Sequence, residues 1–73
     1  MEEDVKKYAG ERMLAIRKER KLRQEDVANA VGITRASLSY YEKGERTLGV
    51  DVLFRICKFY RVSADYILGL KEE

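Results

Sequence analysis

The stretch QEDVANAVGITRASLSYYEKG, from Gln24 to Gly44, constrains this chain more than any other part of it. Its apolar anchors fall at Val27, Val31, Ile33, Leu38 and Tyr41. The first two keep i, i+4 spacing and the last two i, i+3, so two short amphipathic helices are expected, each burying one stripe, with Ile33 anchoring the turn between them. Ala28 sits beside the first anchor, where a helix crossing closely over a partner leaves no room for a larger side chain. Gly32 stands where a chain leaving a helix commonly takes a left-handed conformation. Thr34 then offers a hydroxyl to cap the helix that follows. Two helices joined in this way form a helix-turn-helix, a pattern more specific than either helix alone.

Gln24, Ala28, Gly32, Ile33, Thr34, Ser37, Leu38, Tyr41, Glu42 and Gly44 together match the pattern of the phage-repressor (lambda-repressor or Cro-like, XRE) family of DNA-binding domains. The chain resembles that family over about residues 10–70. A helix pair with a glycine turn is by itself only a packing motif; the flanking helices make the resemblance specific. It implies a compact all-α, five-helix lambda-repressor-like domain, with the helix-turn-helix formed by the second and third helices.

Composition agrees with such a fold. The 73 residues suffice for one domain with a modest core. With no proline, 45% apolar and 38% charged residues, the chain suits an all-α domain with a heavily charged surface. One cysteine, Cys57, and no histidine leave neither an internal disulfide nor the usual zinc-finger ligand sets, which suits a reducing cytoplasm. No basic-then-apolar leader opens the sequence and no apolar run reaches membrane-spanning length, so a cytoplasmic, soluble protein without membrane association is expected. The net charge of +2 is small for a nucleic-acid binder until its distribution is followed: residues 1–4 hold three acids and residues 71–73 two acids and one lysine, leaving +6 between them. That is a footprint for phosphate.

Residues 1–9 turn from acidic to basic and are expected as a partly ordered N-terminal extension of the first helix, frayed at its start, with Val5 and Tyr8 packing back on the domain. Gly10 weakens a helix that would reach back to Asp4. Ala9, Met13, Ile16 and the stem of Arg20 share one face of the first helix. The run RKERKLR, residues 17–23, is a solvated face or a basic edge of the binding surface, and Leu22 within it is an apolar anchor. Lys21 stands where the family often has glycine at the end of the first helix, and Arg23 where Ser or Thr often caps the second, which puts the family's capping chemistry in doubt at both ends of that connection. The fourth helix carries Val52 or Leu53, Ile56, Cys57 and Tyr60 at helical spacing, making Cys57 a core residue. Ser63 caps a short fifth helix that ends at Gly69, with Ala64 and Ile67 inward. Tyr66, Leu68 and Leu70 exceed what so short a helix must bury, so they either cover the core or form a self-complementary dimer patch. Residues 71–73 are a charged tail, outside the domain at 10–70.

The resemblance places the third helix, Thr34–Lys43, in the major groove. Arg35, Ala36, Ser39 and Tyr40 form its outer face: Arg35 can bond both acceptors of a guanine edge, Ala36 can meet a thymine methyl, and Tyr40 can pack on sugar or thymine while offering its hydroxyl. Arg35 on phosphate is the alternative. Phosphate contacts are expected from Arg23, Gln24, Thr34, Ser37, Lys43 and Arg46. In the family, the residue matching Gln24 contacts the DNA backbone and braces the recognition helix, donating to phosphate while accepting from a neighbour, and the residues matching Arg17 and Glu42 form a structural ion pair. The expected function is a sequence-specific double-stranded DNA-binding transcriptional regulator, a repressor acting by occlusion as a homodimer on a palindromic operator, with no cofactor, metal or small-molecule ligand. A protein-interaction module of the same fold, an antitoxin or anti-repressor, is the alternative. An enzyme is disfavoured, since the chain has no histidine, no glycine-rich phosphate loop and no acid pair in an apolar setting.

Overall fold

Two helices, α2 (Gln24–Val31) and α3 (Arg35–Glu42), meet across Gly32 in the computed structural model, which describes residues 4–71. Gly32 is left-handed, at φ 75°, and reverses the chain so that its own N–H and that of Ile33 reach the carbonyls of Asn29 and Ala28. The free carbonyls at the end of α2 are thereby satisfied. Thr34 Oγ1 accepts the Ser37 N–H at 3.0 Å and starts α3. Val27, Ala28, Val31 and Leu38 are buried between the two helices and the rest of the domain.

The helix before them, α1 (Val5–Glu19), starts at Asp4, whose Oδ1 accepts the Lys7 N–H at 3.3 Å. It runs unbroken through Gly10, where a weak point was expected. The reason lies in packing: a Cβ at position 10 would stand 2.5 Å from the Tyr41 carbonyl oxygen and 2.8 Å from that of Glu42. Only glycine lets α1 cross the last turn of α3 this closely, and the contact outweighs the ~1 kcal/mol that glycine costs a helix interior. Val5 and Tyr8 remain about half exposed. The fraying expected at residues 1–3 and the last two residues of the tail lie outside the described residues.

Helices α4 (Val50–Tyr60) and α5 (Ala64–Leu68) complete the all-α fold, with no strand among the described residues. α1 packs on α3 and α5, α2 on α3 and α4, and α4 on α5. Met13, Ile16, Val27, Leu38, Ile56, Tyr60 and Ile67 form the centre of the core, and both Val52 and Leu53 pack against it. Cys57 is partly buried there, and desolvation pushes its thiol up, away from the reactive thiolate. Tyr60 is fully enclosed; its hydroxyl has no hydrogen-bond partner among the described residues, and burial, with the nearby Glu42 charge, pushes it up to about 12. Arg20 lies over its ring at 5.4 Å.

Two helix ends are closed without glycine. Lys21 (φ 58°) and Arg61 (φ 60°) both take the left-handed conformation, and the following N–H groups, of Leu22 and Val62, reach back to the carbonyls of Arg17 and Cys57. Lys21 thus performs the turn that a glycine would make with less strain.

Candidate nucleic-acid interface

The buried end of α3 fixes how its outer face is presented. Glu42 is only 6% exposed, and its carboxylate receives two bonds from Arg17, Nε to Oε2 at 2.8 Å and Nη2 to Oε1 at 3.1 Å. Gln24 Nε2 adds a third, to Oε1 at 2.9 Å. Arg17 also donates Nη1 to the Leu22 carbonyl at 2.9 Å. One carboxylate therefore ties α3 to α1 and to the start of α2, and through Arg17 to the connection between them. The bond to Glu42 holds the Arg17 guanidinium above its ordinary value. Gln24 braces α3 by donating one amide N–H to Glu42, where the resemblance led us to expect it to accept from a neighbour; its second N–H and its carbonyl oxygen are left to other partners.

With Leu38 and Glu42 inward and Tyr41 partly buried, α3 presents Arg35, Ala36 and Tyr40 to solvent, with Ser39 half covered beside them. Arg35 borders a shallow cleft at the start of α2 together with Arg17, Leu22, Arg23, Gln24 and Glu25. Of the three arginines there, Arg17 is paired with Glu42 and Arg23 with Asp26, and Glu25 also lines the cleft, so Arg35 is the cation it offers to an anion at the positive end of α2. Arg23 precedes α2 with no side-chain cap; instead its guanidinium pairs with Asp26, Nε to Oδ2 at 3.0 Å, on the open surface.

Thr34 and Ser37 are linked twice: Thr34 Oγ1 accepts the Ser37 N–H and donates to Ser37 Oγ at 3.0 Å. Ser37 Oγ also accepts from Arg46 Nη1 at 3.1 Å. Arg46 lies back across α3, with its guanidinium carbon 4.7 Å from the centre of the Tyr40 ring and 5.9 Å from that of Tyr41. Lys43, just beyond the helix, is exposed, as Arg46 is, and makes no hydrogen bond, ion pair or ring contact with an α3 side chain among the described residues.

The helix-turn-helix family profile matches residues 13–67. The chain belongs to the helix-turn-helix family, phage-repressor type. Among its relatives in that family, the HTH-type transcriptional regulator YobD of Bacillus subtilis strain 168 is 36% identical over 63 residues, covering 86% of this chain and 56% of YobD. Antitoxin PezA of Streptococcus pneumoniae serotype 4 is 37% identical over 60 residues, covering 82% of this chain and 38% of PezA. The P22 c2 repressor, solved in complex with a synthetic operator, superposes with a TM-score of 0.79 at 33% identity, over 82% of this chain and 91% of that one. The chain spans about half the length of the curated family members it matches.

The three apolar residues at the fifth helix differ in exposure. Tyr66 packs against the core and lies under the Arg12 guanidinium at 4.6 Å, and Leu68 lines a cavity of about 530 Å³ with Val5, Ala9, Leu48 and Leu53. Of the three residues, only Leu70, 73% exposed, is open surface. Much of the apolar surface lies instead on α4, at Val50 (82% exposed) and Phe54 (63%). Sequence reasoning missed both. The signal was present in the near-continuous apolar run VDVLF, which supplies more apolar side chains than one buried helical stripe can take.

Proposed function

We propose that this chain is the DNA-binding part of a transcriptional repressor, acting in the cytoplasm as a homodimer on a palindromic double-stranded operator and carrying no catalytic activity. The observation that carries this reading is the outer face of α3, held by the buried Glu42 carboxylate on three elements and superposing on a repressor solved with its operator. α3 would enter the major groove, with Arg35, Ala36, Ser39 and Tyr40 towards base edges. Arg23, Gln24, Lys43 and the Thr34–Ser37 pair would meet phosphates on either side, fixing register without reading sequence. Arg35, which borders the cleft at the start of α2, would serve phosphate as well as base. Pairing of two copies would bring in Leu70, with Tyr66 and Leu68 behind it, and set two copies of α3 about 34 Å apart on one side of the duplex.

Selection of bound fragments from a random duplex library at physiological salt, followed by sequencing, tests the proposal. A two-fold symmetric motif with half-sites about one helical turn apart is the expected result. No enriched motif would overturn it. The antitoxin-like reading would then take its place, since PezA is a relative of comparable identity and the exposed Val50 and Phe54 on α4 offer a surface for a protein partner.

A further inference from the structure

The seven residues 43–49 between α3 and α4 carry a cation that does not point away from the recognition helix. Gly44, left-handed at φ 73°, ends α3 with its N–H on the Tyr41 carbonyl at 3.0 Å and the Glu45 N–H on the Tyr40 carbonyl at 3.0 Å. This closure turns the chain back over the last turns of α3 and delivers Arg46 to the face that carries Ser37, Tyr40 and Tyr41. The arginine then makes three contacts with one helix: a bond to Ser37 Oγ and a guanidinium over each of two rings.

We propose that Arg46 is a positioning residue for Tyr40, fixing where that ring meets a base pair and so setting sequence preference at that step, and that it is not a phosphate anchor. The inference rests on the DNA-binding reading above. Tyr40 is 44% exposed, and an exposed tyrosine samples several rotamers, which it must give up on binding. A guanidinium stacked on one face of the ring, itself held by Ser37, removes that freedom beforehand; at an exposed site such a contact biases the rotamer population about two- to fivefold. The other ring face stays available for a thymine methyl or a sugar. Ser37 is in turn fixed by the Thr34 cap, so Thr34, Ser37, Arg46 and Tyr40 form one connected strip along α3. A cation whose flat face and one N–H are spent on its own helix is placed to orient that helix's side chains. Lys43, exposed ahead of the turn, is left as the phosphate-facing cation of the loop. Lysine cannot replace Arg46 here, since it has neither the planar face nor the fork of donors.

The test compares the wild-type chain with Arg46→Lys, Arg46→Ala, Tyr40→Leu and the double variant Tyr40→Leu/Arg46→Lys on the selected operator and all its single-base variants at fixed salt. Arg46→Lys is expected to flatten discrimination about two- to fivefold at the base pair where Tyr40→Leu also flattens it. Other positions should stay within about twofold, the salt slope should not change, and Arg46→Lys should add nothing once Tyr40 is leucine. Without DNA, the Arg46 side-chain protons should be shifted upfield, mainly by the Tyr40 ring, in the nuclear magnetic resonance spectrum, and in Tyr40→Leu the shift should fall to the smaller part that the more distant Tyr41 ring gives, while helix content by circular dichroism is kept. Uniform weakening of Arg46→Ala on every duplex, with a salt slope lower by about 1 and restored by Arg46→Lys, would make Arg46 a phosphate anchor and overturn the proposal. So would the absence of the ring shift in the wild-type chain. If the wild-type chain selects no motif at all, the DNA-binding reading fails first, visibly and before any variant is compared, and this proposal falls with it.

Discussion

A methyl group at position 10 would stand 2.5 Å from the Tyr41 carbonyl oxygen, so Gly10→Ala is expected to destabilise the domain by about 1–3 kcal/mol, although alanine is the better helix former. Urea denaturation measures this directly, and a stabilised variant would show that α1 and α3 can move apart at no cost. The opposite exchange applies at Lys21, whose left-handed backbone a glycine adopts without strain: Lys21→Gly should raise stability by about 1 kcal/mol in the same assay. Tyr60 gives the fold a pH dependence. The core favours its neutral form, so the stability it contributes is complete below pH 10 and is lost as the pH rises towards about 12, by about 2–3 kcal/mol in all. Tyr60→Phe removes that group and with it the buried hydroxyl that lacks a partner; the variant should be at least as stable at pH 7, and its stability should fall less steeply than that of the wild type between pH 10 and 12.

At the scale of elements, the placement of α3 depends on one carboxylate. Arg17→Met would leave Glu42, 6% exposed, with Gln24 as its remaining side-chain partner, and should cost about 3–5 kcal/mol. The double variant Arg17→Met/Glu42→Gln should recover part of that loss, because no uncompensated charge is then buried; a single variant as stable as the wild type would show that the pair contributes little. The elements themselves were legible where apolar period and turn chemistry agreed: Val27, Val31 and Leu38 gave the stripes of α2 and α3, Gly32 their turn, and Ser63 the start of α5. They were less legible where tertiary contact overrode local preference. Gly10 reads as a weak point in a helix until α3 is seen against it, and Lys21 is a poor turn residue that is nonetheless left-handed where the Leu22 N–H closes the helix onto the Arg17 carbonyl. The outer face of α3 could be read from the spacing of Leu38 and Tyr41. The return of Arg46 onto that face could not, because a cation two residues past a turn glycine has no direction until the turn is built. Leu68 stayed open between core cover and dimer patch for a related reason: its apolar character is clear in the sequence, but Val5, Leu48 and Leu53, distant along the chain, line the cavity it faces.

For the molecule as a whole, charge and shape act together. The residues between the acidic ends carry +6, and the cations proposed to face the duplex, Arg23, Arg35 and Lys43, are doubled in a dimer. Neutralising about six phosphates predicts that the logarithm of affinity falls against the logarithm of salt with a slope of about −5, measurable by titration at several salt concentrations. A slope near zero would show that these cations do not meet the backbone. The Glu42 bonds bear on something beyond affinity. Because α3 is tied at once to α1 and α2, its tilt cannot be adjusted without breaking buried charge-assisted bonds. In the proposed complex, a duplex whose curvature does not suit the two copies of α3 would itself have to bend or twist, at a cost that varies with how flexible its base steps are. On the proposed function, the mechanical compliance of the operator, including steps no side chain touches, would become part of what distinguishes one site from another.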